Sequence, residues 1–117
     1  MPEKRKHRRF SAPDGALALA FGGTSKVLDI SKGGVSLMFQ ADMDRDIPKE
    51  LSLDLLSTDC FIKAWKIPGK LVWEQEISLS TMPKIVYKIV GVHFGKLSTT
   101  QKDQLDELIM NYTTESA

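Results

Sequence analysis

The sequence predicts an all-β fold followed by one C-terminal helix. Several short segments alternate apolar with polar or small residues, the period of a strand, and turn-forming residues separate them. The last segment instead repeats its apolar residues every three to four positions, the period of a helix. Short strands at such intervals favour a small antiparallel barrel or sandwich, and a helix with a single apolar stripe would cover an open end or a flank of it.

Three strands are predicted in the first half of the chain, joined by turns that contain glycine. Gly22-Gly23 and the SKGG stretch are the turn signals between them. Each strand alternates two kinds of side chain, which indicates two different faces. The strands are ALALAF at 16–21, TSKVLDI at 24–30 and VSLMF at 35–39.

Three further strands are predicted at residues 50–56, 60–73 and 84–97, with a loop over residues 78–83. Pro68-Gly69 interrupts the second of them, and proline inside a strand implies an edge or a bulge because it lacks an N–H donor. The tryptophans on either side of this interruption are expected in the core or at its rim. They are Trp65 and Trp73.

A helix is predicted at the end of the chain. Ser98 and Gln101 have the spacing of a capping box, in which each side chain bonds the backbone N–H of the other residue. An apolar stripe follows at helical spacing, and it would pack this helix onto the sheet. The stripe consists of Leu105, Leu108, Ile109 and Tyr112.

Positive charge is concentrated ahead of the first strand. Residues 4–9 read KRKHRR and contain three of the four arginines, Arg5, Arg8 and Arg9. Glu3 is the one acidic residue among residues 1–9, and residues 10–117 carry a net charge of −3. A guanidinium group pairs with two acceptors at once and stacks on rings, whereas lysine is a hydrated point charge. The concentration of arginine in this segment therefore indicates an anionic ligand. A solvated basic end is the alternative.

Other features of the sequence limit the classes of function that we expect. No apolar run approaches the ~20 residues of a membrane span, and no secretory signal is visible. Cys60 is the only cysteine, so we expect a small core residue and a cytoplasmic protein. His93 should lie on an outer face, without a second His or a Cys nearby. We therefore expect no enzyme activity, no catalytic residue, no metal site and no cofactor.

Two motifs occur in a fixed order. Arg5 and Arg9 form R-x-x-x-R. Nineteen residues separate Arg9 from the stretch DISKGG, which places Asp29, Ser31 and Gly34 in the order D-x-S-x-x-G. Each motif alone is common in basic tails or hairpins. Together, ahead of this strand pattern, they resemble the signature of the PilZ domain family.

The resemblance extends over nearly the whole chain. The stretch GKLVW at 69–73, the run YKIVGVHF at 87–94 and the closing helix are similar to patterns of that family. The resemblance implies a six-stranded antiparallel β-barrel with a C-terminal helix. Accordingly, residues 1–15 are expected to form a flexible basic arm, residues 16–97 the barrel and residues 98–113 the helix.

The resemblance also implies a ligand, the bacterial second messenger cyclic di-GMP. It suggests a stand-alone receptor that changes conformation on binding and signals to an unidentified partner protein. A ligand-independent adaptor in pilus or motility machinery is the alternative within the family. A nucleic-acid binder is a weaker alternative, because the net charge of −3 outside the arm would repel a long duplex.

The arm would supply cations and stacking surfaces. Four residues apart in an extended chain, Arg5 and Arg9 would stand ~13 Å apart on one side, the scale of a folded dinucleotide. Guanidinium groups pair with phosphate oxygens or with the O6/N7 edge of guanine. Arg8 would point the other way or toward a second ligand molecule. By resemblance, the long basic side chain of Lys4 indicates two stacked ligand molecules.

The second motif would supply the acceptors. Asp29 and Ser31 are expected to face outward while Leu28 and Ile30 face the core. A carboxylate accepts from the N1–H and N2–H₂ groups of guanine, and Gly34 would permit a backbone turn and close approach of the ligand. The alternative for Asp29 and Ser31 is local capping of the SKGG turn.

An alanine face on the first strand leaves two interpretations open. Its three small side chains would form either a shallow trough beside the ligand or a surface for close packing of another element, such as the helix. These residues are Ala16, Ala18 and Ala20.

Overall fold

The structure is a computed structural model that describes residues 10–12, 15–20, 23–41, 47–57, 63–79, 82–112 and 114–115. Lys4, Arg5, Arg8 and Arg9 of the arm lie outside the described residues, as does Cys60. Within the described ranges, the elements in chain order are β1 (Phe10–Ser11), β2 (Ala16–Ala20), β3 (Gly23–Ile30), β4 (Gly34–Ala41), β5 (Glu50–Ser57), β6 (Lys63–Leu79), β7 (Met82–Phe94), α1 (Thr99–Tyr112) and β8 (Thr114–Glu115).

Six of these strands close into an antiparallel barrel. Their order is β2-β5-β6-β7-β4-β3, and pairing of β2 with β3 closes the ring. The six-stranded barrel with one C-terminal helix confirms the predicted fold class. β1 lies beside the C-terminal end of β3, where it pairs Phe10 with Ile30 and Ser11 with Asp29, and β8 pairs with β1 on its other side. Phe10 and Ser11 of the predicted arm are therefore strand-paired.

A bulge in β3 determines which of its side chains face outward. Val27 pairs with Leu37 of β4 and Asp29 pairs with Ser36, which leaves Leu28 as the extra residue. An extra residue shifts the alternation of a strand by one position. As a result Val27 and Ile30 are both fully buried, at 0% exposure. The expected burial of Ile30 is confirmed, whereas Leu28 is half-buried at the bulge and the expectation for it was wrong.

The alanine face of β2 points into the core. Ala16, Ala18 and Ala20 are buried at 0%, 0% and 7% exposure, and they share one hydrophobic core with Leu105 and Leu108 of α1. Small side chains on this strand leave room for large ones from other elements. The three alanines therefore belong to the packing surface, and the alternative of a ligand trough is wrong.

The hairpin of β6 and β7 is longer than predicted. The expected loop over residues 78–83 was wrong, since the two strands stay paired as far as Leu79 with Met82. Opposite charges support this extension, because Lys88 Nζ lies 3.4 Å from Glu74 Oε2 and 4.0 Å from Glu76 Oε1. Cross-strand pairs of opposite charge add to the stability of a ladder.

Pro68 does not mark an edge strand. β6 pairs with β5 through its first part and with β7 through its second, so it is an internal strand of the barrel. The carbonyl of Pro68 accepts the Gly95 N–H at 2.8 Å, beyond the last β6–β7 pair of Gly69 with Phe94. The absence of an N–H on Pro68 therefore removes no hydrogen bond from the β6–β7 ladder. The bulge that the proline suggested lies just before it, at Lys66, whose φ is 54°.

The helix is capped and attached as the sequence predicts. The Gln101 N–H donates to Ser98 Oγ at 3.1 Å, and the Ser98 N–H donates to Gln101 Oε1 at 2.9 Å, which confirms the capping box. Gln101 Nε2 also donates to the carbonyls of Trp65 and Lys66, at 3.3 and 2.9 Å. These bonds fasten the start of α1 to the β6 bulge. Among the described residues, no helix combines the length and apolar character needed to cross a membrane.

Candidate ligand-binding site

The D-x-S-x-x-G motif lies at the end of β3 that pairs with β1. Asp29 is near the end of β3, Ser31 lies in the connection to β4, and Gly34 is the first residue of β4. β1 is paired with the same end of β3, and Arg9 directly precedes Phe10 of β1 in the chain. Consecutive Cα atoms are 3.8 Å apart, so the arm joins the barrel beside Asp29.

Ser31 organises the turn between β3 and β4. Its N–H donates to the Gly34 carbonyl at 2.8 Å, and its hydroxyl oxygen accepts the Gly33 N–H at 3.2 Å. The Gly33 carbonyl in turn accepts the N–H of Phe94 at 2.9 Å, which ties the turn to the end of β7. The local capping role is thus realised for Ser31, whose side chain remains half-exposed.

Gly34 is required by the neighbouring strand. It pairs with His93 of β7, and a Cβ at this position would collide with the carbonyl oxygen of Val92. The backbones of β4 and β7 therefore approach more closely here than any side chain permits. The sequence-based reasons for Gly34 were turn geometry and approach of a ligand, and the structure supplies a third, the packing of β7.

Asp29 faces outward because of the bulge at Leu28. Without the extra residue, the alternation that buries Ser25 and Val27 would turn Asp29 into the core. The side chain is instead half-exposed, and no hydrogen bond to its carboxylate comes from another residue that the structure describes. The capping alternative is therefore not realised for Asp29 within that part of the chain.

A row of four residues runs across the outer face from Asp29. Asp29 pairs with Ser36 of β4, Ser36 pairs with Gly91 of β7, and Gly91 pairs with Trp73 of β6. Directly paired residues point to the same side of a sheet, so all four positions share one face. We call Asp29, Ser36, Gly91 and Trp73 the outer row; at ~4.8 Å per strand it spans ~14 Å.

Trp73 forms the far end of the outer row. It is 41% exposed, and a Cβ at Gly91 would lie 2.7 Å from Cδ1 of its indole ring and still nearer to other ring atoms. The ring therefore lies over Gly91 and leaves its other face to a binding partner. Trp65 is also 41% exposed, so of the two positions expected for the tryptophans, the core or its rim, the exposure favours the rim.

Trp73 and Gly91 were missed as site candidates. Both occur in the stretches GKLVW and YKIVGVHF, which were used only as evidence for the fold. The signal that could have singled them out is an aromatic residue and a glycine in two segments that pair. Their position beside Asp29 depends on the register of four strands, which periodicity does not reveal.

Basic side chains flank the outer row. Toward the β3–β4 turn, the neighbouring row runs from Gly34 to His93 and then to Lys70, and both of these side chains are exposed. On the opposite side Lys26 pairs with Met38. Lysines on both flanks of a row that ends in an indole ring favour an anionic ligand with an aromatic part. Within the described ranges, no cluster of three or more His, Cys, Asp or Glu side chains could hold a metal ion.

Comparison with known proteins gives a consistent fold. The family model described as PilZ domain matches residues 3–111. The PilZ domain of YcgR from Escherichia coli, solved with c-di-GMP, superposes with a TM-score of 0.67 at 17% identity, covering 94% of this chain and 92% of that one. No curated protein sequence matches the chain.

Two larger proteins contain a similar domain. Apo MrkH of K. pneumonia superposes with a TM-score of 0.70 at 13% identity, covering 95% of this chain and 52% of that one. PlzA of Borreliella burgdorferi, solved in complex with c-di-GMP, gives a TM-score of 0.54 at 14% identity, with 89% and 48% covered. This chain thus spans about half the length of these two proteins. At such identities, the likeness establishes the barrel fold.

Proposed function

Because the chain belongs to the PilZ domain family, we propose that it is a receptor for cyclic di-GMP. The observation that carries the proposal is the pairing of Phe10 and Ser11 with Ile30 and Asp29. This pairing joins the R-x-x-x-R arm to the barrel at the D-x-S-x-x-G motif. This pairing supports a site in which arginines of the arm and the Asp29 carboxylate would share one surface, as a ligand with two phosphates and two guanines requires.

The arm is long enough to cross the outer row. Arg9 is one residue from Phe10, and Arg5 is four residues further away. An extended chain covers ~3.3 Å per residue, so Arg5 can reach ~17 Å from Phe10. The outer row spans ~14 Å from Asp29 to Trp73. Both arginines can therefore contact a nucleotide that lies on this row.

Each group of side chains suits one part of the ligand. Arg5 and Arg9 would pair with phosphate oxygens or with the O6/N7 edge of guanine. Asp29 would accept from guanine N1–H and N2–H₂, and the indole of Trp73 would stack on a purine ring. Arg8 and Lys4 would contact a second ligand molecule if two bind. Ser31 and Gly34 would hold the turn on which this arrangement rests.

Ligand binding would alter the surface that a partner protein recognises. In this mechanism the arm closes over the nucleotide, and the contacts made only in the closed state shift the population toward it. The signal then passes to a partner protein.

Calorimetric titration with cyclic di-GMP tests the proposed function directly. We expect saturable heat, with a stoichiometry of one or two ligands per chain. GTP and GMP, which carry guanine and phosphate without the cyclic dinucleotide, should give no comparable heat. Duplex DNA bound through the basic arm alone would lose affinity steeply as salt rises. No heat with cyclic di-GMP at tens of micromolar protein would refute the receptor function.

Replacing Asp29 with alanine should weaken cyclic di-GMP binding by about 10- to 150-fold, the cost of charge-assisted hydrogen bonds to a base. The melting temperature should change little, because the half-exposed carboxylate accepts no hydrogen bond from another described residue. Asp106→Ala removes the same charge from the exposed face of α1 and should bind normally. A large loss of stability with unchanged binding in Asp29→Ala would indicate a structural role instead.

Replacing Trp73 with alanine should weaken binding by about 5- to 150-fold, because base–aromatic stacking contributes ~1–3 kcal/mol per base. Trp65→Ala is the matched control, since Trp65 is equally exposed at 41% and lies off the outer row. In the native chain, cyclic di-GMP should also quench tryptophan fluorescence. The Trp65→Ala variant should retain this quenching, and the Trp73→Ala variant should lose it. Equal loss of affinity in the two variants would contradict this role for Trp73.

A further inference from the structure

A second surface lies on the outside of β2, β5 and the start of β6. Leu17 pairs with Leu56 of β5, and Leu56 pairs with Lys63 of β6. Alternate residues of β2 and β5, such as Ala18 and Leu55, are fully buried, so this set faces outward. We call Leu17, Leu19, Leu56 and Trp65 the leucine wall.

The leucine wall is apolar and accessible. Leu19 and Trp65 are each 41% exposed, and Leu17 and Leu56 are half-buried. Soluble proteins expose single large apolar side chains routinely, but adjacent ones on neighbouring strands mark interaction surfaces. Here Leu17 pairs with Leu56, and Leu19 pairs with Asp54, opposite which the β6 bulge places Trp65 and Lys66.

Lysines surround the leucine wall. Lys63 Nζ lies 5.3 Å from the centroid of the Trp65 ring, and Lys66 and Lys26 are exposed at its ends. The nearest carboxylate along the strands, Asp54, accepts the backbone N–H of Lys66 at 2.8 Å. Neither Lys63 nor Lys66 forms an ion pair with a residue that the structure describes. The charge that complements this surface is therefore negative.

The leucine wall and the outer row are separate parts of the outer surface, and Lys26 lies between them, paired with Leu17 of the wall and with Met38 of β4. The outer row crosses β3, β4, β7 and β6, whereas the leucine wall is built on β2, β5 and the start of β6. A partner on the leucine wall would leave Asp29 and Trp73 uncovered.

We propose that the leucine wall docks an acidic amphipathic segment of another protein. Apolar side chains of the segment contact Leu17, Leu19 and Trp65, and its carboxylates pair with Lys63 and Lys66. The aromatic residue with a lysine above its ring is the anchor, the residue type that dominates interface energies. This inference does not depend on cyclic di-GMP binding.

Other occupants fit the surface less well. Strand addition is excluded on this wall because β2 and β5 have pairing partners on both sides in the closed barrel. Two copies joined wall to wall would place Lys63 and Lys66 opposite lysines, which is repulsive. The acidic residues that would complement the wall in a second copy, Asp103 and Asp106, are exposed on α1. That contact would be head-to-tail and would form open chains.

The test uses two synthetic peptides and the full chain. One peptide carries leucines at helical spacing on one face and glutamates on the other; its twin has lysine at every glutamate position. In a ¹H–¹⁵N correlation spectrum, each tryptophan gives its own indole N–H signal. We expect the acidic peptide to shift the Trp65 indole and the amides of β2 and β5, and to leave the Trp73 indole unchanged. Cyclic di-GMP should do the reverse, so failure of one site is distinguishable from failure of the other.

Two variants locate the contact. Trp65→Ala should weaken binding of the acidic peptide about tenfold or more, as expected for an interface anchor. Lys63→Glu should weaken it about two- to tenfold, and should improve binding of the basic twin. Trp73→Ala is the matched control and should bind the peptide normally. All three substituted side chains are exposed, so folding is expected to survive.

Several outcomes would overturn the proposal. Equal binding of both peptides would show that charge does not select the partner. Shifts confined to other surfaces, or none at millimolar peptide, would exclude the leucine wall as the site. If the Trp65 indole signal shifts when the protein alone is concentrated, the leucine wall mediates self-association instead. Shifts with anionic phosphatidylglycerol vesicles, and none with the peptide, would assign it to a membrane surface.

Discussion

The Arg9→Ala variant is expected to bind cyclic di-GMP about 30- to 1000-fold more weakly than the native chain, a loss of about 2–4 kcal/mol. A guanidinium group forms two parallel charge-assisted hydrogen bonds and stacks on a purine, and alanine removes both contributions together. Arg9 directly precedes Phe10, which pairs beside Asp29, so its Cα is tethered to the site. Arg5→Ala should cause a loss of the same order, measured by calorimetric titration.

Two further variants separate the guanidinium from its charge. Lys102→Ala removes one positive charge from the exposed face of α1 and should leave affinity unchanged. Arg9→Lys keeps the charge but loses the planar fork, and it should recover only a small part of the affinity. Full recovery with lysine would mean that Arg9 acts as a point charge only. Unchanged affinity in Arg9→Ala would separate the R-x-x-x-R motif from ligand binding altogether.

The Leu108→Ala variant should lower the free energy of unfolding by about 2–5 kcal/mol. Leu108 is fully buried and shares the core with the three alanines of β2. The close-packed core around a truncated leucine relaxes only in part, so a cavity remains. Urea unfolding followed by circular dichroism measures the change.

Met110 on the same helix provides the control. It is 74% exposed, and Met110→Ala should change the free energy of unfolding by less than about 0.5 kcal/mol. The two variants remove side chains of similar size from one helix, and they differ only in burial. A cost below about 1 kcal/mol for Leu108→Ala would show that α1 contributes little to the core.

Local signals in the chain were enough to predict the elements and much of the chemistry. The capping box of Ser98 and Gln101 needs only the residues of one helical turn, and its two hydrogen bonds have the predicted pattern. The same holds for the buried side of α1, which the spacing of Leu105, Leu108 and Ile109 predicts. The sorting of arginine into residues 5–9 is likewise visible without any coordinates.

Contacts between distant segments decided the rest. Period two shows that a strand has two faces but not which of them is buried, so ALALA alone could not show that its alanines line the core. The bulge at Leu28 depends on pairing with β4, and it turns Asp29 outward. Trp73 and Asp29 are separated by more than 40 residues in the chain, yet they share one row because four strands pair in one register. Register is set by side-chain packing across the closed barrel, which no local pattern encodes.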